Sequence, residues 1–410
     1  MNAIDSTHLH TALAQVRQHP VAAAAQLVNQ LAQRAPQADR DGSFNHDNIA
    51  DLHRHGLLAL AVPAAAGGVD ADFADVVDVI GLIAAGDPST ALVLLMQTLH
   101  HRSIVVNDTW PLAVRQEVFR RAVQDGALIN ALRVEPEQGS PVRGGRPATL
   151  AVRSEGGWRI SGHKLYSTGA PGLTWGIVWG TTDASDGRIG EFLVPLQAPG
   201  VRIEPTWDHL GLRASGSHDV ILDNVWIPDN HAVDLRTPEE WARQDIGLNA
   251  WLPVMLSALY DGVARSARNW LLPWINQRRP SNLKTSLAQV PRFRHAVGEI
   301  EAWLQVNAQL LAAAKRDLGG KREPTASALN PAVAPALNPA LIKYSVTQNA
   351  IAVVERALSL IGNHGLTRNN PLERHYRDVL CSRVHQPQND LILEGAGCLA
   401  LEQNAPLNAT

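Results

Sequence analysis

The hydrophobic period changes twice along this chain, and that change limits the folds open to it. Over residues 8–125 apolar side chains recur at helical spacing, in His10–Leu31, Ile49–Leu58 and Val76–Leu99. Breaks are predicted at Pro36–Ser43, at Pro63–Asp70, where Gly67-Gly68 makes a turn, and at Asp87-Pro88-Ser89. Pro88 suits a first helical turn, with Asp87 or Ser89 near its cap. From 126 to 232 the pattern shortens. Runs rich in Val, Ile and Leu alternate with Gly, Pro and Asp: Leu150–Arg153, Trp158–Ser161, Gly176–Gly180, Glu191–Pro195 and Val220–Val225. Short strands at regular spacing predict a small β-barrel or sandwich. From about Pro238 the helical period returns, in Trp251–Trp274, Arg292–Lys315 and Leu341–Ile361. Between the last two, residues 315–340 turn Lys/Arg-rich and then Pro/Ala-rich, with Ala-Leu-Asn-Pro at 328–331 and 336–339. That stretch reads as a low-complexity surface loop. Helices, then strands, then helices predict an α+β protein with regions 1–125, 126–232 and 233–410.

Composition narrows the partners. A net charge of −3 gives no footprint for nucleic acid or an anionic membrane. Met1–Val16 has no basic segment followed by a long apolar run, and no stretch approaches the roughly 20 apolar residues that span a bilayer. The two cysteines, Cys381 and Cys398, show no paired spacing, so a reducing, cytoplasmic setting is expected. The sixteen His form no H-E-x-x-H or Cys/His spacing, and His100-His101 point to different sides of a helix. Gly144-Gly145 lacks the Lys-Ser/Thr of a phosphate loop. Eleven Trp against five Phe and four Tyr stand out. They either fill core and subunit interfaces or line a pocket for a flat ring.

Six segments in order carry a resemblance: Gly56-Leu-Leu-Ala-Leu-Ala-Val-Pro63 with Gly67-Gly68; Asp87-Pro-Ser89; Val134-Glu-Pro-Glu-Gln-Gly-Ser140; Gly162-His-Lys-Leu-Tyr-Ser-Thr168-Gly; Gly211-Leu-Arg-Ala-Ser-Gly-Ser217 with Val225-Trp-Ile-Pro228; and Leu360–Leu393. Together they resemble the acyl-CoA dehydrogenase superfamily over about residues 40–405. The resemblance implies an N-terminal helical domain, a middle β-barrel domain and a C-terminal four-helix bundle. It also implies a homotetramer, with a flavin between the β-domain and the C-terminal helices. Thr168 matches a threonine that meets the flavin near N5, and Tyr166 an aromatic residue beside the ring. The 134–140 segment matches a flavin loop, with Ser140 retained and Val134 in place of a threonine, so one hydroxyl is missing. Arg278 matches an arginine that holds the FAD pyrophosphate, but Arg278-Arg279-Pro280-Ser281-Asn282 lacks the Phe-Gly that follows it in the family.

The departures are informative. The dehydrogenases carry a catalytic Glu where this chain has Gln386, and an amide cannot take a proton at neutral pH. A second family position for the base lies near Leu252, yet no acid occurs between Asp245 and Asp261. The family Gly-Thr is replaced by Pro387-Gln388. These features are similar to the two-component flavin monooxygenases, among them the dibenzothiophene and sulfone monooxygenases. There a His stands eight residues after an Arg, as His385 stands after Arg377. The resemblance gives His385 a hydrogen bond or proton exchange with a flavin C4a-(hydro)peroxide, for which an imidazole is suited. It places Asn130 near substrate and flavin and Trp207 in the pocket. Gln97 and His101, four apart on one helix, share a face on which polar pocket residues occur.

The expectation is a monooxygenase using FMNH2 from a separate NAD(P)H-flavin reductase, O2 and a small aromatic or sulfur-containing substrate. Two alternatives stand beside it: an FAD-dependent acyl-CoA dehydrogenase with a displaced base, and a degenerate flavin-binding protein without catalysis.

Overall fold

Helices occupy both ends of the chain and strands its middle, in the predicted order. The structure is a computed structural model that describes residues 6–137, 146–183, 187–242, 246–319 and 337–403. Two compact units form: one from 1–71, 89–209 and 213–248, the other from 72–88, 210–212 and 249–410.

The first unit holds α1 (Ser6–Gln18), α2 (Pro20–Asp41) and α3 (His46–Arg54). After α4 (Phe73–Gly86), which counts with the second unit, come α5 (Pro88–Val106) and α6 (Leu112–Asp125). Prolines act differently at two places. His10–Leu31 is not one helix: α1 stops at Gln18 and Pro20 opens α2. A proline starts a helix readily because its missing N–H would be unbonded there. The break predicted over Pro36–Ser43 is present at its far end: it opens at Gly42 and not at Pro36. Helix α2 runs through that proline to Asp41, with Leu27, Leu31, Ala35 and Ala38 on one buried face, and ends at Gly42 in the left-handed region at φ 65°. Apolar burial along that face outlasts the loss of one backbone hydrogen bond. Helix α3 is capped by Asn45, whose side chain accepts from the Asn48 amide.

The strands are β1 (Leu128–Leu132), β2 (Leu150–Ser154), β3 (Gly157–Ser167), β4 (Leu173–Thr182), β5 (Ile189–Pro195), β6 (Val201–Glu204), β7 (His218–Pro228) and β8 (Ala232–Arg236). The predicted barrel or sandwich takes the form of one sheet, ordered β6-β7-β3-β2-β4-β5-β8, with β1 pairing β4 in parallel. Strand β4 is buried almost throughout, as a strand with neighbours on both edges should be. Inside this sheet Lys164 of β3 is fully buried and donates to Glu135 Oε1 at 2.6 Å and to the Trp179 carbonyl at 2.5 Å. Glu135 also accepts from the Ala148 and Thr149 amides and the Thr149 hydroxyl. Burial pulls the Lys164 ammonium down to about 8, against the pull of Glu135. Four tryptophans, Trp110, Trp158, Trp175 and Trp179, are core residues, and Arg133 lies over the Trp179 ring. Short helix α7 (Pro238–Ala242) follows.

The second unit comprises α4, most of α8 (Ile246–Gln277), α9 (Pro291–Leu318), α10 (Pro339–Ile361), α11 (Leu372–Leu380) and α12 (Asn389–Gln403). Helices α4 and α8 meet where Gly81 and Gly262 leave room; a side chain on Gly262 would overlap the Gly81 carbonyl. Polar bonds tie the bundle: Asn307 of α9 donates to Asp261 of α8, Asn349 of α10 donates to Asn307, and Lys315 of α9 pairs with Asp78 of α4. The predicted 315–340 loop begins later than expected, because α9 continues to Leu318; residues 320–336 lie outside the described residues. No helix among the described residues is long and apolar enough to cross a membrane.

Candidate functional site

Two polar clusters stand out, one in each unit. In the first, the end of β3 turns sharply at Tyr166, a non-glycine residue at φ 55°. The pairing of β3 with β7 slips there, between Lys164 and Ser167. Such a conformation is uncommon outside glycine and marks a local constraint. The following Gly169 and Ala170 amides donate to the Ser215 and Gly216 carbonyls, so the 162–169 and 213–217 motifs come together. Gly216 sits at φ 56°, and a Cβ there would lie 2.8 Å from Pro171.

This contact builds a hydroxyl chain. Thr168 Oγ1 lies 3.0 Å from Ser217 Oγ, which lies 2.8 Å from Ser215 Oγ. Asn130 Nδ2 donates to the Thr168 carbonyl at 2.9 Å. His100, on α5, is pushed down to about 3 by burial and then by Arg133, against an opposing interaction with Asn130. The buried Ser167 hydroxyl next to the chain has no hydrogen-bond partner among the described residues. Beside it stands an aromatic group. Trp207 stacks on His209 with centroids 3.6 Å apart, and the Tyr166 ring meets both edge-on at 6.4 and 5.7 Å. Tyr166 is 53% exposed. A flat ring would find there hydroxyls and an amide for its polar edge and aromatic surface for its face, which are the needs of a flavin.

In the second unit, the turn after α11 carries His385. Its Nδ1 is 2.7 Å from the hydroxyl of Tyr260, a wholly buried residue of α8. Burial, then the Lys343 ammonium, lowers the His385 imidazole to about 4, so the ring is neutral at physiological pH. Lys343 of α10 is itself buried. Its ammonium donates to the carbonyls of Ser382, His385 and Pro387 and to Asn389 Oδ1, at 2.7–3.1 Å. Burial lowers Lys343 to about 8. Gln386 is half-buried and its bond to Pro387 is cis. On the preceding helix, the Leu212 amide donates to Asp378 Oδ1 at 2.7 Å, and Arg377 donates to the Leu210 carbonyl while pairing with Glu373. Asp261, the first acid that follows the second family base position, is 4% exposed and tied to Arg265 and Asn307.

The expected site residues fall in several places. Asn130, Thr168, Tyr166 and Trp207 share the first cluster. Val134 lies close in the sheet, bridged to Leu165. Gln97 has a different setting: its amide donates to the Leu58 and Ala127 carbonyls and accepts from the Ile129 amide. His101 is fully buried against Phe119, and neither ring nitrogen has a hydrogen-bond partner among the described residues. Arg278 is exposed, 3.4 Å from His364 and over the Trp274 ring. Ser140 lies outside the described residues. Sequence reasoning missed Tyr260, Lys343, Ser215, Ser217 and His209 as participants. Lys343 had a usable signal, a lysine on the apolar face Ile342-Val346-Ala350 of α10; Tyr260 had none.

Comparison with known proteins fits this architecture. The N-terminal, middle and C-terminal domain families of the acyl-CoA dehydrogenases match residues 17–107, 133–225 and 254–389. YdbM of Bacillus subtilis (strain 168), provisionally named an acyl-CoA dehydrogenase, is 31% identical over 92% of this chain and 95% of its own. This chain belongs to the acyl-CoA dehydrogenase superfamily. The L-evernosamine nitrososynthase of a Micromonospora strain is 27% identical, over 88% of this chain and 84% of its own. The dibenzothiophene monooxygenase of Paenibacillus sp. A11-2 shares the fold at a TM-score of 0.77 and 20% identity, over 95% of this chain and 98% of that one.

Proposed function

We propose that the protein is a reduced-flavin-dependent monooxygenase acting on a small aromatic or sulfur-containing substrate. The observation that carries this reading is the pairing at 385–386. An amide, Gln386, stands where the family dehydrogenases keep their base, and a neutral histidine held by Tyr260 stands beside it. The one other acid on α8 between Ile246 and Gln277, Asp261, is engaged in a salt bridge and is a poor candidate for a displaced base. Relatives support the reading: the dibenzothiophene monooxygenase has been solved with FMN and with FMN plus indole.

In this reading the chain's residues divide the work. The Thr168–Ser217–Ser215 hydroxyls and Asn130 hold the polar edge of the flavin, and Tyr166 packs its face. Trp207 and His209 border the substrate, and His385 offers a hydrogen bond to the reacting oxygen. Reduced flavin, when bound, supplies the electrons that activate O2. A separate reductase delivers FMNH2, and the protein works as a homotetramer.

The test mixes purified protein with FMNH2, O2 and indole or dibenzothiophene. The expected result is protein that leaves purification without flavin and incorporates oxygen into the probe. An FAD-loaded protein that reduces a dye with butyryl-CoA would overturn the reading. That outcome would favour the second reading, an FAD-dependent acyl-CoA dehydrogenase, for which the likeness to YdbM speaks.

A further inference from the structure

The inference rests on the reading above and concerns how His385 is set. The Tyr260 hydroxyl has a single hydrogen-bond partner among the described residues, Nδ1 of His385 at 2.7 Å. Tyr260 is wholly buried, and burial, with Cys381 and Asp378 nearby, holds its phenol protonated. That phenol has one proton to place. If Nδ1 carried the ring proton, the phenol would have to accept, and its own hydrogen would be shut in the core without an acceptor. Buried donors in native proteins are almost always paired. The phenol therefore donates, Nδ1 accepts, and the proton of the neutral imidazole resides on Nε2. Nε2 has no hydrogen-bond partner among the described residues.

Lys343 fixes the rest of the arrangement. Its ammonium gathers the carbonyls of Ser382, His385 itself and Pro387, so the backbone that carries the imidazole is held in place by charge-assisted bonds. The same positive charge opposes a second proton on the ring.

We propose that Tyr260 is a positioning residue that locks His385 as the Nε2–H tautomer, making it a hydrogen-bond donor to the oxygen chemistry and not a group that exchanges protons with it. His385 then keeps its proton through turnover.

The test labels the full chain with ring-15N histidine and assigns the His385 signals by their loss in His385→Gln. In flavin-free wild-type protein at pH 7, Nε2 should appear protonated and Nδ1 as an acceptor. Tyr260→Phe removes one oxygen, keeps the ring and should let the two tautomers mix. In the oxygenation assay it should lower the product formed per FMNH2 oxidised by about fivefold to tenfold, the worth of one hydrogen bond. A wild-type His385 with its proton on Nδ1, or with both nitrogens protonated, overturns the proposal without reference to any variant. So does an unchanged tautomer in Tyr260→Phe. Because the tautomer is read without flavin, the two readings fail separately. Nε2–H without oxygenation removes only the monooxygenase, and oxygenation with Nδ1–H removes only the lock.

Discussion

The hydroxyl of Tyr260, in the middle of α8, meets Nδ1 of His385, 125 residues later, at 2.7 Å. One is buried and the other sits in a turn pinned by Lys343.

Replacing His385 by Ala should lower the oxygenation rate by about 100-fold, the usual worth of a positioned donor at a developing charge. Hydrogen peroxide release should rise as oxygen reduction uncouples from product. Oxygen consumption and product measured in the same reaction check this; full coupling in the variant would remove His385 from the site.

Thr168→Val keeps the shape of a β-branched residue and deletes the hydroxyl bonded to Ser217. FMN should bind about tenfold more weakly, corresponding to about 1.4 kcal/mol, while the thermal midpoint changes little. Fluorescence titration with FMN measures the first and calorimetry the second.

Gln97 clamps three backbone groups, two as donor and one as acceptor. Gln97→Glu can still accept from Ile129 but must place a carboxylate against the Leu58 and Ala127 carbonyls. We expect it to destabilise more than Gln97→Ala, which should itself cost about 1–3 kcal/mol. Urea unfolding of both variants decides; equal effects would mean that the carboxylate meets no net penalty against the two carbonyls.

Lys164 and Glu135 join the 134–140 and 162–169 motifs through a buried ion pair. Lys164→Met alone should cost about 3–5 kcal/mol by leaving Glu135 buried without its cation. Lys164→Met with Glu135→Leu should recover most of that loss in the same unfolding assay.

Acid should destabilise the fold early. Burial lowers His100, His101 and His375 from 6.5 to about 3, and His385 to about 4. The unfolded chain takes up these protons near 6.5 while the folded chain refuses them. Stability is therefore complete above about 6.5, falls as pH drops, and levels off only below about 3 to 4 for these groups. His101→Leu removes one such proton and should make the slope near pH 5 shallower by about 1.4 kcal/mol per pH unit. Chemical denaturation across that range checks it.

The sequence by itself determined the order of helices and strands, because hydrophobic period is a local property that each segment carries alone. It also determined that Asp87-Pro88 divides two helices and that Gln386 is no base, since both follow from the chemistry of one or two residues. Local rules placed a break within Pro36–Ser43, and burial of Ala35 and Ala38 along one face decided that it opens only at Gly42. The tertiary structure alone decided which polar residues meet within each unit. It drew Ser215 and Ser217 to Thr168, Glu135 to Lys164 and Tyr260 to His385, contacts spanning 29 to 125 positions in the chain. No spacing or propensity encodes such pairs. They exist because a buried polar group must find a partner wherever the packed chain supplies one.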